Sequence, residues 1–174
     1  ELTAHYSYGP LTRVLPVSLT LDNYIATIAA GAAIDTSGPF VDFNPTRLPQ
    51  ITLGAGGVAT VYTLTGTDII TGKSFTQTID ATGAGTFKAA KPMRITRLQS
   101  DVNPGGTTDL QGGDTWVHPS ARAINVGVAG DIACRPMDNN ADITLHTQPT
   151  GISWVRQRII RITGTSAADL SVGW

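Results

Sequence analysis

Apolar residues in the C-terminal part of this chain recur at every second position, the spacing of half-buried strands. Within Arg122–Val128, Ile124, Val126 and Val128 share one parity, so a strand would carry them on one face. Ile143 and Leu145 alternate with Thr144 and His146. Val155, Ile159, Ile160 and Ile162 stud an arginine-bearing strand, in which Ile160 and Ile162 have equal parity, and Leu170, Val172 and Trp174 repeat the pattern at the end. Polar and glycine-rich breaks separate these runs. Ala129-Gly130-Asp131 predicts a turn that returns Ile132-Ala133-Cys134 as the hairpin partner, and Asp138–Asp142 and Gly164–Asp169 predict two more turns. The expected buried faces comprise Ile124, Val126, Val128, Ile143, Leu145, Ile160 and Ile162.

The first hundred residues read as a second β unit. Leu11–Leu21 alternates through Val17, Leu19 and Leu21, with Pro16 confining its first half to an edge or a bend. Asn23–Ile34 is the one stretch that competes for helix, but Gly31 and the β-branched Ile25, Thr27 and Ile28 favour a strand and then a loop. Gly38-Pro39, Asn44-Pro45 and Leu48-Pro49 predict a long loop or arm over 38–49. Its Phe40, Val41, Phe43 and Leu48 should lie against their own domain or a neighbour. From Val58 the alternation resumes as a hairpin turning at Thr71-Gly72-Lys73, a second turn at Gly83-Ala84-Gly85 and a strand over Met93–Leu98. Turn formers at Ser100–Gly106 place a domain boundary there. The expected fold is therefore all-β, with two small antiparallel β-sandwich or barrel-like units (1–100 and 101–174) and almost no helix.

Composition narrows the classes. Charged residues make up 14% and hydrophobic ones 41%, so the chain can bury a core, while 19 Gly and 10 Pro interrupt it too often for long helices. A net charge of −1 gives no general electrostatic footprint for nucleic acid. No apolar run approaches the roughly 20 residues that span a bilayer, and no secretion signal opens the chain. Neither a nucleic-acid nor a membrane partner is expected. The sequence begins at Glu1, which by itself decides nothing about processing.

The succession of "TTDL" (Thr107–Leu110), "ARAINVGVAGDIACRP" (Ala121–Pro136) and "VRQRIIRITGTSAADLSVGW" (Val155–Trp174) resembles small virion proteins of tailed bacteriophages and gene-transfer agents, described as head-spike base or capsid decoration proteins. The resemblance covers roughly Val102–Trp174. The string "TLTGTDIITGKSFTQTIDATGAGTFKAAKPMRIT" also resembles a module of phage head and tail proteins. The resemblance implies a non-enzymatic, capsid-associated structural protein: a decoration or cement protein, or the base for a head spike or fibre. It further implies assembly with the major capsid protein or other virion proteins, homo-oligomerisation, and a place on the outer capsid surface after synthesis in the host cytoplasm. A head-completion, tail or baseplate component and a host-glycan binding module on a fibre remain as alternatives.

The chemistry-bearing residues fit that expectation. His5, His118 and His146 lack zinc-ligand spacing and read as surface or turn residues. Asp109 and Asp114 flank Gly112-Gly113, read as a turn, and "DNNAD" (Asp138–Asp142) lacks the order of a calcium loop, which favours a hydrogen-bonded turn. Gly54–Gly57 is followed by a strand instead of a helix N-terminus, so it is no phosphate cradle. Cys134, the single cysteine, reads as a small buried hydrophobe. No catalytic residue, metal or cofactor is expected. The candidate interface is Trp154 with Arg156 and Arg158 on one face of the closing strand, Arg161 falling on the other; aromatic residues and arginine are favoured interface anchors.

Overall fold

In the computed structural model, residues 14–17 and 20–174 are described, and these form strands and no helix. The strands are β1 (Val14–Val17), β2 (Asp22–Asn23), β3 (Asp35–Thr36), β4 (Arg47–Leu53), β5 (Thr60–Asp68), β6 (Ser74–Ala81), β7 (Gly85–Lys88), β8 (Met93–Ser100), β9 (Thr108–Val128), β10 (Gly130–Pro136), β11 (Ile143–Gln148), β12 (Gly151–Thr165) and β13 (Ala168–Gly173). They make two antiparallel sheets, neither closed into a barrel. One is four-stranded, in the order β3-β8-β5-β6; the other is nine-stranded, with β1-β13-β9-β12-β10-β11 as its main path and β2, β4 and β7 attached off it through β9 and β4. His5 and the Leu11–Arg13 and Ser18-Leu19 parts of the first expected strand lie outside the described residues.

Period two explains the smaller sheet. β5 buries Thr60, Tyr62 and Leu64 while Val61, between the first two, is exposed, and β8 buries Met93, Ile95 and Leu98. These side chains pack on Leu48, Ile51 and Leu53 of β4 and Leu110 of β9, so a first core lies between the two sheets. The hairpin joining β5 to β6 turns over 69–73, where Gly72 takes φ +67° and the Asp68 carboxylate accepts the N–H groups of Ile70 and Thr71 at 2.8 Å each. The segment 38–49 ends earlier than its prolines suggest. Arg47–Leu53 is strand β4, with Pro49 opposite Gly112 at a register shift. Phe40 and Phe43 pack on the first core, whereas Val41 is exposed.

β9 carries the chain from one core to the other. Its 21 residues pair with β2 and β4 at the start and with β12 and β13 farther along. Leu110 belongs to the first core and Val117, Ala121, Ile124 and Val126 to the second. Gly112 and Gly113 are strand residues here, contrary to the turn expected of them, and His118, read as a surface or turn residue, also lies in β9. For the glycines the physical reason is close approach. A Cβ on Gly112 would stand 2.7 Å from Arg47 Cδ and 2.9 Å from a Phe43 ring carbon, and one on Gly113 2.8 Å from Gln50 Oε1.

The second core draws on β9, β10, β12 and β13, all strands of the nine-stranded sheet. Neighbouring strands of one sheet bring their same-face side chains into contact. Register shifts in the β10–β12 and β12–β9 ladders supply local bends.

Three expectations change in this region. β10 does not return against β9; it pairs with β11 and β12, and β12 lies between β10 and β9. Val128, at the end of β9, is 51% exposed and Ile143 is 37% exposed, although Ile124 and Val126 are buried and Leu145 packs against the core. Finally, the buried pair on β12 is Ile159 with Ile162, not Ile160 with Ile162. A register shift between Ile159 and Arg161 reverses the parity that an unbroken strand would keep.

Candidate functional site

The closing strand β12 carries an irregularity with a defined size. Trp154 lies opposite Ala123 of β9 and Ile159 opposite Ala121. Four residues of β12, Val155–Arg158, therefore face a single residue of β9, Arg122. Such an insertion bends a strand and re-aims its side chains. Here Arg156, Gln157 and Arg158 are exposed, as is Arg122 across from them. The backbone is anchored beside this bulge, because Met137 N–H donates to the Arg158 carbonyl at 2.7 Å.

Large apolar groups adjoin the arginines. Ile152 is 56% and Trp154 49% exposed, two residues apart on β12. Their β9 partners are Asn125 and the buried Ala123. The candidate residues Trp154, Arg156 and Arg158 are thus all exposed on one stretch of the closing strand. Arg122 joins them. Its position in "ARAINV" was visible in the sequence, but its place opposite the bulge depends on the register between distant segments.

Arg161 serves a different purpose. Its guanidinium lies 3.1 Å from Asp142 Oδ2 and 3.8 Å from Asp114 Oδ2 and stacks 5.8 Å from the Trp116 ring centre. Asp114 also pairs with Lys88 at 3.1 Å, and Asp142 with Arg135 at 2.8 Å. The resulting series, Lys88–Asp114–Arg161–Asp142–Arg135, runs from β7 through β9 and β12 to β10 and the turn before β11. Burial opposes ionisation of Asp142, yet the hydrogen bonds and charges of Arg161 and Arg135 outweigh it and hold the carboxyl below its ordinary range. The "DNNAD" turn closes on itself as well, Asn139 Oδ1 accepting the Ala141 N–H at 3.1 Å.

The remaining candidates are engaged within the fold. Asp131 accepts the Thr147 N–H at 2.7 Å and lies 3.2 Å from His146 Nδ1. First the Thr147 bond and then the histidine lower its carboxyl pKa. Cys134 is buried in the second core, where desolvation first and the Asp142 charge second push its thiol up to about 11. A small open cleft of about 210 Å³ is lined by Asn44, Thr46, Thr67, Asp68, Arg94 and Trp116 among others. Asp68 caps its hairpin turn and Arg94 pairs with Asp42 at 3.3 Å. Among the described residues, no group of three or more His, Cys, Asp or Glu side chains is placed to hold a metal ion.

The site with exposed, chemically matched groups is therefore the β12 bulge and its flank. It offers contact area and cationic hydrogen-bond donors, which suit recognition of another surface. Compared with protein families, curated proteins and solved structures, the chain matches none of them.

Proposed function

We propose that this chain is a non-enzymatic structural protein of a bacteriophage particle. In this reading it associates with the capsid as a decoration or cement protein, or as the base of a head spike or fibre, and acts by protein–protein assembly. The motif succession over Thr107–Trp174 supports the particle assignment. The observation that carries the assembly part is the exposed Ile152 and Trp154 beside Arg156 and Arg158. Apolar area at the centre of a contact and arginine at its margin are the chemistry of interface anchors. Repeated copies on a lattice would add avidity to a modest individual contact.

The test is localisation. Purified particles should contain this chain, and cryo-electron microscopy should place it at repeated positions on the outer capsid surface. A few copies confined to the tail would favour the tail or baseplate alternative. Absence from particles that are otherwise complete would overturn the proposal.

A further inference from the structure

The described arginines fall into two groups. Arg47, Arg94, Arg97, Arg135 and Arg161 each have an aspartate within 4 Å. Among the described residues, Arg122, Arg156 and Arg158 have no such partner, and all three are exposed. These three are not scattered. The β9–β12 register sets Arg122 against the Val155–Arg158 bulge that holds the other two, next to exposed Ile152 and Trp154.

The geometry points to a docking site here for an acidic segment of another protein, one that presents carboxylates together with an apolar side chain. This deepens the assembly reading by naming the chemistry of the partner, and it rests on that reading. Charge complementarity selects the occupant. Three cations without internal counter-charges attract carboxylates, and guanidinium groups bind them through directional, paired hydrogen bonds. Ile152 and Trp154 add an apolar contact for which a bare polyanion has no complement. A second copy docking by the same face across a two-fold axis would set arginine against arginine, which opposes that mode. Nucleic acid is disfavoured by the overall charge of −1 as well as by the exposed apolar pair.

The experiment uses the full chain and a synthetic peptide alternating aspartate and leucine. A single-stranded oligonucleotide and a heparin fragment of equal charge serve as competitors. Salt-dependent peptide binding is expected, weakening at least about tenfold in the combined Arg122→Glu, Arg156→Glu, Arg158→Glu variant and also in Trp154→Ala. The matching triple Gln variant provides a second test if the Glu variant does not fold, and an unchanged melt verifies folding. In the peptide experiment, three outcomes overturn the inference: no peptide binding by the unaltered chain, equal binding by a folded triple variant, or preferential binding of oligonucleotide or heparin that ignores Trp154→Ala. Particle incorporation separates this inference from the broader proposal. Particles carrying the unaltered chain and the triple variant in equal amounts would defeat the docking site alone, while absence of the unaltered chain would defeat the particle assignment and leave the peptide result standing.

Discussion

The two cores are filled by different means. The first lies between two sheets and contains hydrogen-bonded polar side chains: Tyr24 OH donates to the Arg47 carbonyl at 3.0 Å, Tyr62 OH and Thr108 Oγ1 are 3.0 Å apart, and Gln77 bonds both the carbonyl and the N–H of Lys91. The second is drawn from strands of one sheet and consists of Val, Ala, Ile, Leu and Cys side chains. Opposed sheets can slide, and buried polar pairs with single good geometries resist sliding. Strands of one sheet are already held by their ladders, so small and β-branched residues suffice for this core. The outer surfaces differ in the opposite sense, since the unpaired arginines stand over the apolar second core.

Matched truncations should give the largest effects and test how separate these cores are. Ile124→Ala in the second core and Leu64→Ala in the first should each cost about 2 to 5 kcal/mol. Because β9 contributes to both, each should lower the midpoint of one common denaturant transition. Two resolved transitions, each moved by only one substitution, would break the picture of a shared strand.

A polar deletion should sharpen the contrast at a smaller scale. Tyr62→Phe leaves the buried Thr108 hydroxyl without its partner and should cost about 1 to 3 kcal/mol, some of which Thr108→Val should restore in the double variant. Full additivity of the two substitutions would show that the pair is not coupled.

Acid should act on the charge series through Asp142. With the folded pKa of this carboxyl below its unfolded value, its contribution is complete above the unfolded value of about 3.9 and is lost as pH falls through the folded one. Asp142→Asn should therefore lower the melting point at neutral pH and flatten the acid side of the profile. An unchanged acid limb would assign that loss of stability to other carboxylates.

The smallest effect concerns the end of β9. Val128→Thr should alter stability by no more than about 0.5 kcal/mol because the side chain is exposed, whereas Val126→Thr places a hydroxyl in the core and should cost more. Equal costs would mean that Val128 is covered.

Local alternation made the all-β class legible, and it identified Ile124, Val126 and Ile162 as core residues and Cys134 as a packing residue. It could not reveal pairing between distant segments. The hairpin expected of β9 and β10 failed because β12 intervenes, and Ile160 lost the buried position to Ile159 because a bulge changes parity. Gly112-Gly113 resembles a turn in sequence, since a glycine kept for close approach and one kept for a bend have the same local appearance. Trp154, Arg156 and Arg158 could be singled out by composition, whereas the adjacency of Arg122 required the register. Nothing in the local sequence could tell that Arg161, three residues beyond Arg158, is held by two aspartates.

The 21 residues of β9 also have a mechanical consequence. At about 3.3 Å per residue they give a contour of about 70 Å, a tie that runs through both packed regions. Tension applied at the arginine-bearing bulge passes into β9 through the flanking ladder bonds and travels along covalent backbone toward β4. Neighbouring ladders then share shear over many hydrogen bonds instead of opening one bond at a time. In single-molecule stretching across β9, the two regions should yield together in one rupture; a reproducible pair of ruptures would show that the strand gives way between them.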